Sequence, residues 1–103
     1  MTRRQRRPKI RKPSEDTARF LVGLAAVTRI IRARERLSQA ELARRAGVGR
    51  NFIAAVENRR ANPSVIHMGQ LAEGLGLAGA AELAMRAEEA VCRIAASTTR
   101  PAP

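Results

Sequence analysis

Arg50 and Asn51 are adjacent in the sequence and are followed, at helical spacing, by Ala54 and Ala55. A guanidinium can bridge O6 and N7 of guanine, a carboxamide can bridge N6 and N7 of adenine, and an alanine leaves room for the methyl of thymine. A helix exposing these four side chains would carry groups able to read base edges in a major groove, each good bidentate contact giving ~1–3 kcal/mol of discrimination. Arg59 and Arg60 follow as candidate contacts to phosphate. Catalysis has no comparable set of residues. There is one histidine, His67, and one cysteine, Cys92, so metal sites and internal disulfides lack ligands. No nucleophile paired with a base is legible, and the expectation is a protein without enzymatic activity, cofactor or metal. His67 reads as a surface residue and Cys92 as a small apolar group, buried or at an interface. Phe20 and Phe52 are the only aromatics, which excludes recognition of single strands on stacking platforms.

Charge points to the same partner. The 103 residues carry a net +11, favouring nucleic acid first and an anionic membrane surface second. Residues 1–13 hold seven basic groups and no acidic one, and residues 27–60 hold nine and three, whereas 14–26 and 61–103 are close to neutral. Positive charge is thus confined to an arm and to one contiguous third of the chain, as expected if one face of the fold meets a polyanion. The arm (MTRRQRRPKIRKP) has too little apolar surface to offset its ordering entropy and is expected to be disordered. Thirteen extended residues reach at most ~43–47 Å along a duplex. Arg3, Arg4, Arg6 and Arg7 precede an apolar run, Phe20–Val27, in the manner of an export signal. That run is eight residues long and leads into Arg29, Arg32, Arg34 and Arg36 instead of a cleavage site. Cytoplasmic residence is expected, with no membrane association, because no stretch approaches the ~20 apolar residues of a membrane span.

The elements that must position these residues are all helical. Phe20, Leu24, Val27 and Ile31 form one stripe of a first helix over about 17–36. Ser38 and Glu41 form a capping box opening a second helix, with Leu42, Ala43 and Ala46 on its inner face and Gly47 as its stop. Gly49 serves as N-cap of a third helix over 50–58 that buries Ile53 and Val56. Asn62-Pro63-Ser64 leads into a fourth, with a stripe of Val65, Met68, Leu71, Ala72 and Leu75 and an end at Gly76. A fifth runs over 79–96, and residues 97–103 read as a disordered tail. The expected organisation is an arm (1–13), one all-α domain (14–96) and that tail.

Residues 39–58 (QAELARRAGVGRNFIAAVEN) meet the demands of a helix-turn-helix: a small residue at the crossing (Ala43), a glycine at the turn (Gly47), apolar flanks and a polar outer face on the second helix. The stretch LSQAELARRAGVGRNFIAAVEN, continuing through NPSVIHMGQLAEGLGL, closely resembles the phage lambda repressor and Cro-like (XRE-type) helix-turn-helix family, over about Val27 to Leu77. Around Arg50-Asn51-Phe52-Ile53 it is also similar to the controller proteins of restriction-modification systems. The resemblance implies a compact five-helix domain that binds operator DNA as a homodimer with its third helix in the major groove. Carried over by position, Arg50 and Asn51 are the base readers and Ala54 and Ala55 the close contacts to the groove floor. Gln39 anchors a phosphate and steadies the first side chain of the third helix, and Asn58 is a phosphate ligand after it. Arg36 departs from the pattern, standing where the family often has glycine, and Gly79 replaces the usual polar cap of the fifth helix.

One such motif reads few base pairs, and twofold pairing doubles the contact at half-sites ~34 Å apart. The stripe Leu83, Ala87, Val91 and Ile94 is the candidate dimer seam, and packing within the monomer is its other use. The leading functional expectation is a sequence-specific transcriptional regulator, a homodimeric repressor bound to double-stranded DNA. The alternatives are an antitoxin-like protein whose C-terminal helix captures a toxin while the same motif represses its own operon, and a nucleoid-type or protein-binding module dominated by the basic arm.

Overall fold

The structure is a computed structural model and describes residues 14–98. The expected disordered arm, 1–13, and the last five residues of the expected tail lie outside the described residues. Five helices follow one another without a strand among the described residues: α1 (Glu15–Arg34), α2 (Gln39–Ala46), α3 (Arg50–Glu57), α4 (Val65–Gly74) and α5 (Ala80–Thr98). The all-α, five-helix expectation holds. α5 continues through Ser97 and Thr98, two residues into the segment read as tail.

Local chemistry sets each boundary. α1 begins two residues before the expected Thr17 because Ser14 caps it, its Oγ accepting from the Thr17 amide at 3.2 Å. Glu15 and Asp16 in its first turn and Arg32 and Arg34 in its last complement the helix dipole. α2 carries the capping box: the Glu41 amide donates to Ser38 Oγ at 3.0 Å, and the Ser38 amide donates to Glu41 Oε1 at 2.9 Å. These bonds, the backbone one first, hold the Glu41 carboxyl below the ordinary glutamate range. α2 stops at Gly47, whose left-handed conformation (φ 71°) costs glycine nothing. Gly49 caps α3 through its extended backbone alone, and Ser64 caps α4 by accepting from the His67 amide at 3.1 Å.

Leu24, Leu42, Ile53, Leu71 and Leu83, one large side chain from each helix, are at most 1% exposed and form the centre of a single core. α2 packs on α3 and α4, α1 on α3 and α5, and α4 on α5. Two glycines permit the closest approaches. A Cβ on Gly74 would lie 2.7 Å from the Cβ of Ala46, which brings α4 against α2. A Cβ on Gly23 would meet the Ala87 carbonyl and lie 2.7 Å from Val91 Cγ2, which brings α1 against α5. The Phe52 and His67 rings, 5.0 Å apart, join α3 to α4.

Two stripe assignments need correction. Val65 is 81% exposed, because the first residue of α4 projects from the helix before that helix reaches the core. Leu83 and Ala87 are fully buried and Val91 packs over Gly23, so three of the four residues read as a dimer seam serve the monomer. Ile94, at 40% exposure, is the one that keeps substantial open surface.

Candidate nucleic-acid interface

The α2–α3 unit is held by residues on its inner side, and this frees its outer side. Ile53 and Val56 bury one face of α3 against Leu42 and Ala43 of α2. Asn51, Ala54, Ala55 and Asn58 then follow at spacings of three, one and three along the opposite side. Arg50 and Asn51 occupy the first turn, where α3 leaves the Gly47–Gly49 bend, and both are exposed. Neither has a side-chain hydrogen bond or ion pair among the described residues. Ala54 and Ala55 are half-buried, Ala55 resting against the core, so this stretch of the helix surface is flat and short-chained.

The end of α3 is fixed by a polar cluster that the sequence reading did not contain. Glu57 is 4% exposed. It accepts two hydrogen bonds from one guanidinium of α1, Arg32 Nε to Oε2 at 2.7 Å and Arg32 Nη2 to Oε1 at 3.0 Å. Gln39 Nε2 donates to Glu57 Oε1 at 3.1 Å, and Arg29 Nε lies 3.8 Å from the same oxygen. Arg32 Nη1 also donates to the Leu37 carbonyl at 2.9 Å, which ties the α1–α2 loop into the cluster. Burial pushes the Glu57 carboxyl up. The hydrogen bonds from Arg32 and Gln39, with the charges of Arg32 and Arg29, outweigh that and leave it below the ordinary glutamate range. Glu57 in turn raises the Arg32 guanidinium, chiefly through the hydrogen bonds between them.

Gln39 therefore sits differently from its expected place. Expected at a phosphate and against the first side chain of α3, it places its amide group on Glu57, the last residue of that helix, from the first position of α2. Asn58, Arg59 and Arg60 are exposed just beyond α3, with no side-chain partner among the described residues. Arg59 has φ 61° and Arg36, at the end of α1, has φ 55°. The signal for Glu57 was available: it lies four residues after Ile53 and next to Val56, on the inward face of the helix.

Among the described residues no group of three His, Cys, Asp or Glu side chains could hold a metal ion, and no helix is long and apolar enough to cross a membrane. What the site offers is a row of hydrogen-bonding and small side chains on one helix, flanked by arginines at its end and at the loop before α2.

A family model described as helix-turn-helix matches residues 29–80. Among curated proteins none matches. Solved structures do. The restriction-modification controller protein C.AhdI from Aeromonas hydrophila is 32% identical, with a TM-score of 0.55 over 61% of this chain and 94% of that one. A hypothetical transcription factor, NHTF, from Neisseria is also 32% identical, with a TM-score of 0.61 over 82% of this chain and 93% of the other. The clp gene regulator ClgR from Corynebacterium glutamicum, at 23% identity, shares the fold, with a TM-score of 0.65 over 77% of this chain and 83% of that one.

Proposed function

The chain belongs to the helix-turn-helix family, and on that premise we propose that it is a sequence-specific DNA-binding transcriptional regulator that reads operator half-sites with α3 in the major groove. The observation that carries this reading is the position of Arg50 and Asn51: exposed on the first turn of α3 without a side-chain partner among the described residues, beside a flat Ala54–Ala55 surface that lets the helix approach the groove floor. Exposed cations at the helix ends supply the phosphate contacts that set register, with Gln39 and Asn58 beside them. The two 32%-identical structures bear the names of a restriction-modification controller protein and a hypothetical transcription factor, which favours regulation over a purely architectural role.

The working unit in this reading is a homodimer that acts as a repressor by occluding a promoter. With Leu83, Ala87 and Val91 engaged in the monomer, the apolar surface that α5 has left for a second copy includes Met85, 63% exposed, and Ile94. Selecting bound sequences from a random pool of duplex DNA tests the proposal. A consensus of two inverted half-sites about one helical turn apart is the expected result. Recovery of unrelated sequences would refute it.

A further inference from the structure

Four helix exits turn through the left-handed region: α1 at Arg36 (φ 55°), α2 at Gly47 (71°), α3 at Arg59 (61°) and α4 at Gly76 (77°). At α1 the Arg36 amide donates to the Ala33 carbonyl at 3.2 Å and the Leu37 amide to the Arg32 carbonyl at 2.9 Å. At α4 the same pair of bonds runs from Gly76 to Glu73 at 3.0 Å and from Leu77 to Ala72 at 2.8 Å. The backbone device is thus identical, and it favours glycine, because a Cβ in this conformation crowds the neighbouring carbonyl. Arginine is not among the residue types that tolerate it well.

The two arginines are not placed at random. Gly76 follows α4, outside the α2–α3 unit, and Gly47 forms the inner bend between α2 and α3. Arg36 and Arg59 stand at the outer ends of the α2–α3 unit, the first two residues before the Ser38 cap and the second two residues after Glu57. Nothing in the fold uses the Arg36 side chain, which is exposed and has no partner among the described residues. Its loop is held by other groups, namely Arg32 on the Leu37 carbonyl and Gln39 on Glu57. A strained position kept by a side chain that the fold does not engage is characteristic of a functional site. We infer that Arg36 is a further cationic contact to the DNA phosphate backbone, beside the start of α2, with its left-handed conformation retained for the charge it presents.

This inference rests on the proposed duplex binding, and its test separates the two. Thermal unfolding and salt-dependent binding are measured for the full chain, for Arg36→Gly and for Arg36→Lys. Arg36→Gly is expected to melt higher, to bind every duplex more weakly regardless of sequence, and to lower the slope of log affinity against log salt by about one per bound chain. Arg36→Lys is expected to restore that slope. Wild-type binding with an unchanged affinity and slope in Arg36→Gly would overturn the inference and leave the proposed function standing, as would a lower melting temperature for that variant. Wild-type protein that binds no duplex would end both.

Discussion

Glu57, on the last turn of α3, accepts two hydrogen bonds from the single guanidinium of Arg32 on α1, 25 residues earlier in the chain. The pair fixes the end of α3 to α1, the longest helix among the described residues. Through Gln39 it fixes the start of α2 as well. Removing one partner of a buried ion pair costs about 3–5 kcal/mol, because the other charge stays desolvated. Arg32 keeps 25% side-chain exposure, so Glu57→Gln is expected to fall near the lower end, at ~3 kcal/mol. Chemical denaturation of wild type and variant checks this. A loss under ~0.5 kcal/mol, the range of ordinary surface substitutions, would contradict it.

The same carboxyl makes the fold sensitive to acid. Its pKa is lower folded than unfolded, so its stabilising contribution is complete above the unfolded value of ~4.3 and is lost as pH falls through the folded value. Glu41 and Glu82, each lowered first by a backbone hydrogen bond, act in the same direction. Stability measured from pH 7 to pH 3 should hold and then decline below about pH 4.5. In Glu57→Gln the decline should be shallower.

Gly23 sets the α1–α5 distance, since any Cβ there meets the Ala87 backbone and Val91. Gly23→Ala should destabilise by at least the ~1–3 kcal/mol typical of an overpacked core. Gly69→Ala, where a Cβ meets nothing within 4 Å, should instead stabilise by up to ~1 kcal/mol. Thermal melts of the two variants should move in opposite directions.

Leu83 and Ile94 separate folding from the proposed pairing. Leu83→Ala empties a fully buried site and should cost ~2–5 kcal/mol at any protein concentration. Ile94→Asp should leave the monomer fold intact and weaken self-association in sedimentation experiments. An Ile94→Asp protein that pairs as tightly as wild type would remove Ile94 from the proposed dimer surface.

The ends of α2, the start of α4 and the turn at Gly76 were legible because they rest on chemistry within four residues: Ser38 with Glu41, Ser64 before α4, and the glycines at 47 and 76. The outer face of α3 was legible for a related reason, since Ile53 and Val56 fix which way Asn51 must point. Contacts between distant segments were not. The inward place of Glu57 follows from Ile53 and Val56, but its partner Arg32, 25 residues earlier, does not. The inner stripe of α5 shows that a face is apolar without showing what covers it, and the choice between monomer core and dimer seam depended on the groove opened at Gly23, some 60 residues away. Arg36 and Arg59 in left-handed backbone run against residue preference, and preference alone would place glycine there.

The proposed function stands on Arg50 reading a base. It is tested most directly by measuring, at one fixed salt concentration, the affinity of wild type and Arg50→Ala for a selected operator and for a random duplex. Arg50→Ala is expected to lose ~1–3 kcal/mol of operator preference per half-site, about 5- to 150-fold, while its salt-sensitive binding to random duplex remains. An Arg50→Ala protein that discriminates operator from random duplex as well as wild type would contradict it.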